Sequence, residues 1–158
     1  MNIIVAYTIF ATTINKDINT KEPNNNIGYL LWQTTMLWQK QMNTALSQVG
    51  LTHTQFVILI SLGWLLKKSS NVTQSEIADF SKTDRMMVSK ILRTLQKKGL
   101  IARKEHEKDT RAKCVFLTQV GEETMQKAFK IKLHANEEFF SKLPDQERFI
   151  EDLKHILS

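Results

Sequence analysis

The amino-acid sequence predicts a mainly α-helical fold that contains one small β-hairpin. Apolar residues recur at helical spacing over most of the chain. Two capping-box motifs, THTQ at 52–55 and TQSE at 73–76, mark the starts of helices. Two short apolar runs, GLIA at 99–102 and CVFL at 114–117, flank a highly charged segment and predict a pair of strands joined by a polar loop.

The first two helices are predicted from their apolar periodicity and their caps. A long helix is expected over residues 27–49, with Asn26 as its cap and Gly50 after its end. Thr52 then caps a second helix over residues 54–66. That helix is apolar on nearly all sides, so it is expected to be the central buried element.

Two further helices follow a polar break. The TQSE box opens a short helix that runs to about residue 80, and the polar cluster Ser81-Lys82-Thr83 interrupts it. Another helix is expected over residues 84–98, where Gly99 stops it.

The hairpin and the terminal helices complete the chain. Strands are expected over residues 100–105 and 112–117. Thr118 caps a long helix to about residue 142, and Pro144 separates it from a last amphipathic helix. This order of elements is the layout of a winged helix-turn-helix domain flanked by helices at both ends.

Lysine and arginine are concentrated in one third of the chain. Residues 67–113 hold 13 Lys and Arg against 6 Asp and Glu, a net charge of +7, whereas the remainder of the 158 residues holds 9 against 10 and the whole chain carries +6. This distribution indicates a polyanionic partner, nucleic acid before a membrane surface. The alternative is a solvated basic surface without a partner.

Composition favours a cytoplasmic, globular protein without a membrane partner. The chain is 42% hydrophobic and 24% charged, with no apolar run near the length of a spanning helix. The apolar segment 3–11 has no Lys or Arg before it, unlike a secretory signal. The single cysteine, Cys114, excludes an internal disulfide framework and suits a reducing compartment.

The segment DRMMVSKILRTLQKK, residues 84–98, predicts a helix with two opposite faces. The face expected to pack into the core consists of Met87, Val88, Ile91, Leu92 and Leu95. The opposite, cationic face consists of Arg85, Met86, Ser89, Lys90, Arg93 and Lys97. Arginine and lysine pair with guanine or phosphate, and serine with a base edge, so this face suits the DNA major groove. Two roles remain open for Met86, contact with a thymine methyl group or packing on the neighbouring helix.

Residues 73–122 resemble the core of the MarR family of bacterial transcriptional regulators. IA at 77–78 lies in the first helix of the motif, and LQKKGLIAR at 95–103 joins recognition helix to wing. DTR at 109–111 stands at the Asp-x-Arg position of the wing, and LTQVGEE at 117–123 matches the Leu-Thr-x-x-Gly that begins the dimerisation helix. The sequence departs from the family pattern in two places. Ser81 and Thr83 stand in the turn where many members have aliphatic residues, and Arg85-Met86-Met87 is bulkier than usual. These departures bear on base-pair specificity and not on the fold.

The resemblance implies how the charged loop would act. Arg111 would enter a minor groove, where narrow A·T-rich DNA concentrates negative potential. Asp109 would order the loop and hold either Arg103 or Arg111. The lysines of the hairpin would contact phosphates, which supply affinity and register. These lysines are Lys104, Lys108 and Lys113.

The resemblance also implies a homodimer that binds a palindromic operator on double-stranded DNA, most often as a repressor. It divides the chain into an extension (1–26), an N-terminal dimerisation helix (27–51), a DNA-binding lobe (52–118) and C-terminal dimerisation helices (119–158). The apolar residues expected at the dimer interface are Ile27, Leu30, Leu31, Trp38, Phe139, Phe140, Phe149, Ile150, Leu153 and Leu157. The alternative is that they close an intramolecular core.

Regulators of this family commonly respond to a small aromatic ligand, and some sense oxidants through a cysteine. The tryptophans Trp32, Trp38 and Trp64 are the aromatic candidates for a ligand pocket, although each is expected to belong to the core. Cys114 is expected to be a strand or core cysteine, with a redox-sensing role as the alternative. A winged-helix module that binds RNA or an acidic protein is the other competing function.

No pattern of catalytic residues or metal ligands is present in the sequence. His53, His106, His134 and His155 are scattered without metal-ligand spacing. A Gly-rich phosphate loop, an HExxH motif and a GxSxG motif are all absent. We therefore expect neither an enzyme nor a bound cofactor or metal.

Overall fold

The computed structural model describes residues 25–105 and 113–158. By its internal contacts the chain divides into two compact units, one ending at Leu37 and the other running from Trp38 to Ser158. The elements in chain order are α1 (Ile27–Leu46), a 3₁₀ turn (Ser47–Val49), α2 (His53–Leu66), α3 (Gln74–Ser81), α4 (Arg85–Lys97), β1 (Ile101–Glu105), β2 (Lys113–Leu117), α5 (Gln119–Phe140) and α6 (Gln146–Leu157). The predicted fold class, mainly helical with one β-hairpin, is confirmed.

The boundary between α1 and α2 is set by local backbone chemistry. α1 ends in the 3₁₀ turn, and Gly50 follows with a left-handed φ of 68°. The Thr52 hydroxyl accepts the N–H of Gln55, and the Gln55 side chain accepts the N–H of Thr52. This capping box starts α2 at His53, one residue before the predicted start.

The turn between α3 and α4 is built from polar residues. A second capping box, between Thr73 and Glu76, starts α3. Lys82 ends it with a left-handed φ of 52°, and the Thr83 hydroxyl donates to the Ser81 carbonyl at 3.2 Å. Asp84 is the cap of α4 and accepts two backbone N–H groups of the first turn. The polar turn therefore satisfies its own hydrogen bonds.

The hairpin is antiparallel and is extended by a contact that the sequence did not predict. β1 pairs with β2 in a register that places Ile101 opposite Leu117. Thr73 forms an isolated bridge with Cys114, and the N–H of Val115 donates to the Val72 carbonyl at 2.8 Å. The segment before α3 thus holds β2 from its other side.

The last two helices begin and end close to where the sequence predicted. The Thr118 hydroxyl accepts the N–H of Gly121 and so caps α5. α5 ends at Phe140, two residues before the predicted end. Asp145, directly after Pro144, caps α6.

The core lies among α2, α3, α4, the hairpin, α5 and the last turns of α1. Its largest fully buried side chains are Met42, Leu46, Ile58, Leu59, Leu62, Ile77, Leu92, Leu95, Val72, Val88, Val115 and Cys114. Burial of Cys114 agrees with the expected core or strand position.

Three predictions of burial are wrong. Trp32 of α1 is 58% exposed. Trp64 is 49% exposed, because the last turn of α2 lies beside an open cavity. Met87 is also 49% exposed. It stands about 100° around α4 from Val88, at the margin of the face that Val88, Leu92 and Leu95 bury.

Hairpin and α5 meet at a junction that only glycine fits. The Thr118 hydroxyl donates to the Gly99 carbonyl at 2.7 Å, and its N–H donates to the Leu100 carbonyl at 3.1 Å. A Cβ atom at position 121 would lie 1.8 Å from the Leu100 carbonyl oxygen. Because that neighbour is backbone at the start of the wing, relief of the clash requires α5 and the hairpin to move apart.

We expect Gly121→Ala to lower the free energy of unfolding by about 3 kcal/mol, the upper part of the range for overpacked sites. For a chain of this size the melting temperature should fall by about 10 °C. Denaturant and thermal unfolding measure both quantities. Glu122→Ala, at the exposed neighbouring position in the first turn of α5, is the control and should lower the free energy of unfolding by no more than about 1 kcal/mol. Equal stability of Gly121→Ala and the native chain would contradict this expectation, because it would show that α5 and the hairpin can move apart without loss of stability.

His53 is held in a half-buried, aromatic environment. Its ring lies edge-on to Trp38, with 4.7 Å between the ring centroids. The Trp38 indole in turn donates to the Asn136 side chain at 3.0 Å. Burial lowers the pKa of His53, and the positive charge of Lys132 lowers it further.

The lowered pKa of His53 predicts a loss of stability in acid. The unfolded chain takes up the His53 proton near pH 6.5, before the folded chain does, so acidification through that pKa favours unfolding. The stabilisation is complete above about pH 6.5 and is lost as the pH falls through the folded-state pKa. Thermal unfolding between pH 7.5 and pH 5 should show a smaller loss in His53→Gln than in the native chain. If the melting temperatures of the two proteins fell equally with pH, the assignment to His53 would be contradicted.

Candidate nucleic-acid interface

The exposed face of α4 carries the side chains that the sequence predicted for DNA contact. Its buried face consists of Val88, Leu92 and Leu95. On the other side Met86, Lys90 and Arg93 are exposed and Ser89 is half-buried. Side chains of hydrogen-bonding, charged and apolar character therefore share one surface.

Two arginines of α4 are held by neighbouring groups. The Arg85 guanidinium lies 3.7 Å from the Asp79 carboxylate of α3, with both side chains largely exposed. Arg93 folds back along its helix and donates to the carbonyl and the hydroxyl of Ser89, both at 3.3 Å. An exposed ion pair is weak and would give way to a phosphate, whereas the Ser89 contacts orient Arg93 along the helix.

Arg103 on β1 belongs to the same cationic surface, and the sequence assigned it only a structural role. Burial lowers the pKa of Arg103, and the nearby charge of Arg93 lowers it further. Its Nε and Nη2 atoms are buried, and no residue within 25–105 or 113–158 accepts a hydrogen bond from them. The helical period of α4 gave no signal of this proximity, since Arg103 arrives from another element.

The wing is described only at its base. Lys104 is exposed, with its ammonium 5.7 Å from the centre of the Phe116 ring, and Lys113 is exposed at the start of β2. The predicted wing residues Lys108, Asp109 and Arg111 lie outside the described residues. Lys98 is also exposed, but its ammonium is held within the chain, since it donates to the Gln55 side chain at 2.9 Å and to the Gly50 carbonyl.

Comparison with known proteins agrees with this geometry. The family model described as MarR family matches residues 51–113. The uncharacterised HTH-type transcriptional regulator YdcH of Bacillus subtilis is 39% identical over 135 residues, which cover 85% of this chain and 92% of that protein. The chain belongs to the MarR family.

Solved structures of MarR-family proteins share the fold. The transcriptional repressor CouR bound to a 23-mer DNA duplex superposes with a TM-score of 0.74 at 23% identity, covering 90% of this chain and 97% of that one. CouR from Rhodococcus jostii RHA1 bound to p-coumaroyl-CoA gives 0.72 at 20% identity, covering 87% and 93%. A mutant MarR from E. coli complexed with operator DNA gives 0.73 at 22% identity, covering 87% and 96%. The winged helix-turn-helix layout is thereby confirmed.

This MarR-family chain also has an open cavity between α2 and α5. Its volume is about 370 Å³, and its lining is mainly apolar. The lining residues are Ile60, Gly63, Trp64, Lys67, Met125, Gln126, Phe129 and Lys130. The Lys67 ammonium lies 4.4 Å from the centre of the Trp64 ring. Of the three tryptophans considered from the sequence, Trp64 lines this cavity, while Trp38 packs on His53.

Other kinds of site find no support in the described part of this MarR-family chain. Among residues 25–105 and 113–158, no three His, Cys, Asp or Glu side chains converge as a metal site. In the same ranges no single helix is long and apolar enough to cross a membrane; segments Ile27–Val49 and His53–Leu66 reach that length only as a pair bent by 70°. The relatives compared above are regulators of transcription, in line with the expectation of a non-enzyme.

Proposed function

We propose that this MarR-family chain is a transcriptional regulator that binds a palindromic operator on double-stranded DNA as a homodimer. One observation carries the proposal: the α4 face opposite the core exposes Met86, Lys90 and Arg93 next to the half-buried Ser89. A helix of this kind fits the major groove, where its N-terminal residues contact base edges. A regulator acting on chromosomal DNA would work in the cytoplasm.

The charges around α4 support a nucleic-acid backbone as the partner. Burial lowers the pKa of Arg103 and the nearby charge of Arg93 lowers it further, and a phosphate bound at the exposed Arg93 would offset that repulsion. Lys104 and Lys113 extend the positive surface along the base of the wing. Arg111, which lies outside the described residues, would enter the adjacent minor groove, as the family resemblance implies.

Apolar side chains left exposed on the terminal helices support the homodimer. In α1, Ile27 is 82% exposed and Trp32 58%; in α6, Ile156 is 73% and Leu157 85%. α6 buries no residue in the single chain. Surfaces of this kind mark interaction sites, and a second copy of the chain would bury them.

Some residues predicted for the dimer interface have partners within their own chain. Phe140 contacts the rings of Phe139 and Phe149, with centroid distances of 5.0 and 6.2 Å. Trp38 packs on His53. The predicted interface therefore includes partly buried side chains that also pack within their own chain.

The cavity between α2 and α5 supports control by a small aromatic anion. Ile60, Met125 and Phe129 offer an apolar lining, and the lysines Lys67 and Lys130 provide charge at the same site. CouR, bound to DNA in one structure and to p-coumaroyl-CoA in another, is named a repressor. We propose that this chain likewise represses transcription and that the bound anion releases it from DNA. The buried position of Cys114 makes a thiol sensor the weaker alternative.

Binding to a duplex selected from a random-sequence DNA library tests the proposed function. At saturation we expect two chains per duplex. If about 6–10 phosphates are contacted per dimer, affinity should fall about 10³–10⁵-fold between 50 and 200 mM salt. Arg93→Ala should weaken binding, whereas Lys142→Ala, an exposed cation between α5 and α6, should not. Equal affinity for an RNA duplex of the same sequence would favour the RNA-binding alternative, and one chain per duplex would contradict the dimer.

Titration with aromatic carboxylates, cinnamate among them, tests the cavity. We expect Lys67→Met to weaken binding about tenfold, since loss of one charged hydrogen bond costs about 1.4 kcal/mol or more. Lys68→Met removes the neighbouring exposed charge, which does not line the cavity, and is the matched control. Calorimetry measures both affinities. Equal weakening in the two variants, or no binding by any member of the series, would contradict an aromatic anion in this cavity.

A further inference from the structure

Met86 is an apolar side chain placed at the centre of a polar, cationic surface. It is 73% exposed. It lies about 180° around α4 from Leu95, which is fully buried. Its backbone is fixed, because the Asp84 carboxylate accepts the Met86 N–H at 2.9 Å. The fold therefore presents this thioether outward at a defined place in the first turn of α4.

Nothing in the packing of the described chain accounts for this position. Val88, Leu92 and Leu95 supply the contacts of α4 with the core. One turn along the same face stand Ser89 and Lys90, which are polar. Of the two roles left open by the sequence, packing on a neighbouring helix among residues 25–105 and 113–158 is excluded by the exposure of Met86. Contact with an apolar group of another molecule is the role that remains.

The chemistry of the major groove identifies that partner. This step rests on the proposed binding of α4 to DNA, in which the first turn of the recognition helix faces base edges. Base edges in that groove present hydrogen-bonding groups and one apolar group, the C5 methyl of thymine. We propose that Met86 contacts the methyl group of one thymine in each half-site and thereby selects that base.

Residues on either side of Met86 are not placed for this contact. Arg85 is turned toward α3, where it pairs with Asp79 at 3.7 Å. Met87 lies about 100° further around the helix and is 49% exposed, at the margin of the buried face. Met87 is therefore a matched control, with the same side chain one position later and the same Asp84 cap on its N–H.

Replacement of thymine by deoxyuridine removes only the methyl group and isolates this contact. The starting duplex is the one that the native protein selects. In each test duplex, one thymine and the thymine related to it by the operator symmetry are replaced by deoxyuridine. We expect replacement at one such symmetry-related pair of thymines to weaken binding by about fourfold per half-site, the value for one buried methyl or methylene group. All other pairs should have little effect on the dissociation constant.

Variants of the protein assign the effect to Met86. In Met86→Ala the deoxyuridine duplex and the thymine duplex should bind equally, while Met87→Ala should keep the native preference. Met86→Gln, of similar length but polar, should lose the preference as well. Thermal unfolding checks that each variant folds, which the exposure of Met86 favours.

The outcomes separate this inference from the proposed function. If no thymine methyl affects native binding, or if Met86→Ala retains the full preference, the assignment to Met86 is overturned while DNA binding stands. If Met87→Ala loses the preference and Met86→Ala keeps it, the contact belongs to Met87. If the native chain selects no duplex at all, the proposed function itself fails, and the thymine contact fails with it.

Discussion

The backbone junction between Leu100 and Gly121 fixes the relation of three elements. The Leu100 carbonyl follows α4, begins the wing and accepts the N–H of Thr118, which caps α5. The close approach at Gly121 leaves no room for any side chain. α4, β1 and α5 are therefore joined within a few residues, so we expect a displacement of one to be transmitted to the others.

This connection would give the cavity a physical route to the face of α4 that we propose binds DNA. The cavity lies between α2 and α5, and α2 also packs on α3 and α4. At Gly63 a Cβ atom would lie 2.6 Å from the Met125 sulfur, so the two helices are already in close contact at the cavity. A ligand that separates α2 from α5 would act on α4 from one side through α2 and on the wing from the other through the junction.

Much of the candidate site follows from local sequence, and part of it does not. The period of α4 placed Lys90 and Arg93 opposite Val88 and Leu92, and the structure agrees. Met87 was wrongly assigned to the core. The helical period gives the direction of a side chain around the helix axis, but the side chain is buried only where a neighbouring element covers it. The sequence did not predict that Arg103 lies near Arg93, because their proximity depends on how β1 packs on α4.

Local chemistry of the chain by itself determined where the elements begin and end. Thr52, Thr73 and Thr118 cap helices through hydrogen bonds to backbone groups three residues away, so a short stretch of sequence is enough to predict them. Tertiary structure alone decided the pairing of Val72 with Val115, the exposure of Trp64 and the approach of Gly121 to Leu100. These features depend on which segments, distant in sequence, lie next to each other in space. Only the packing of the folded chain determines that.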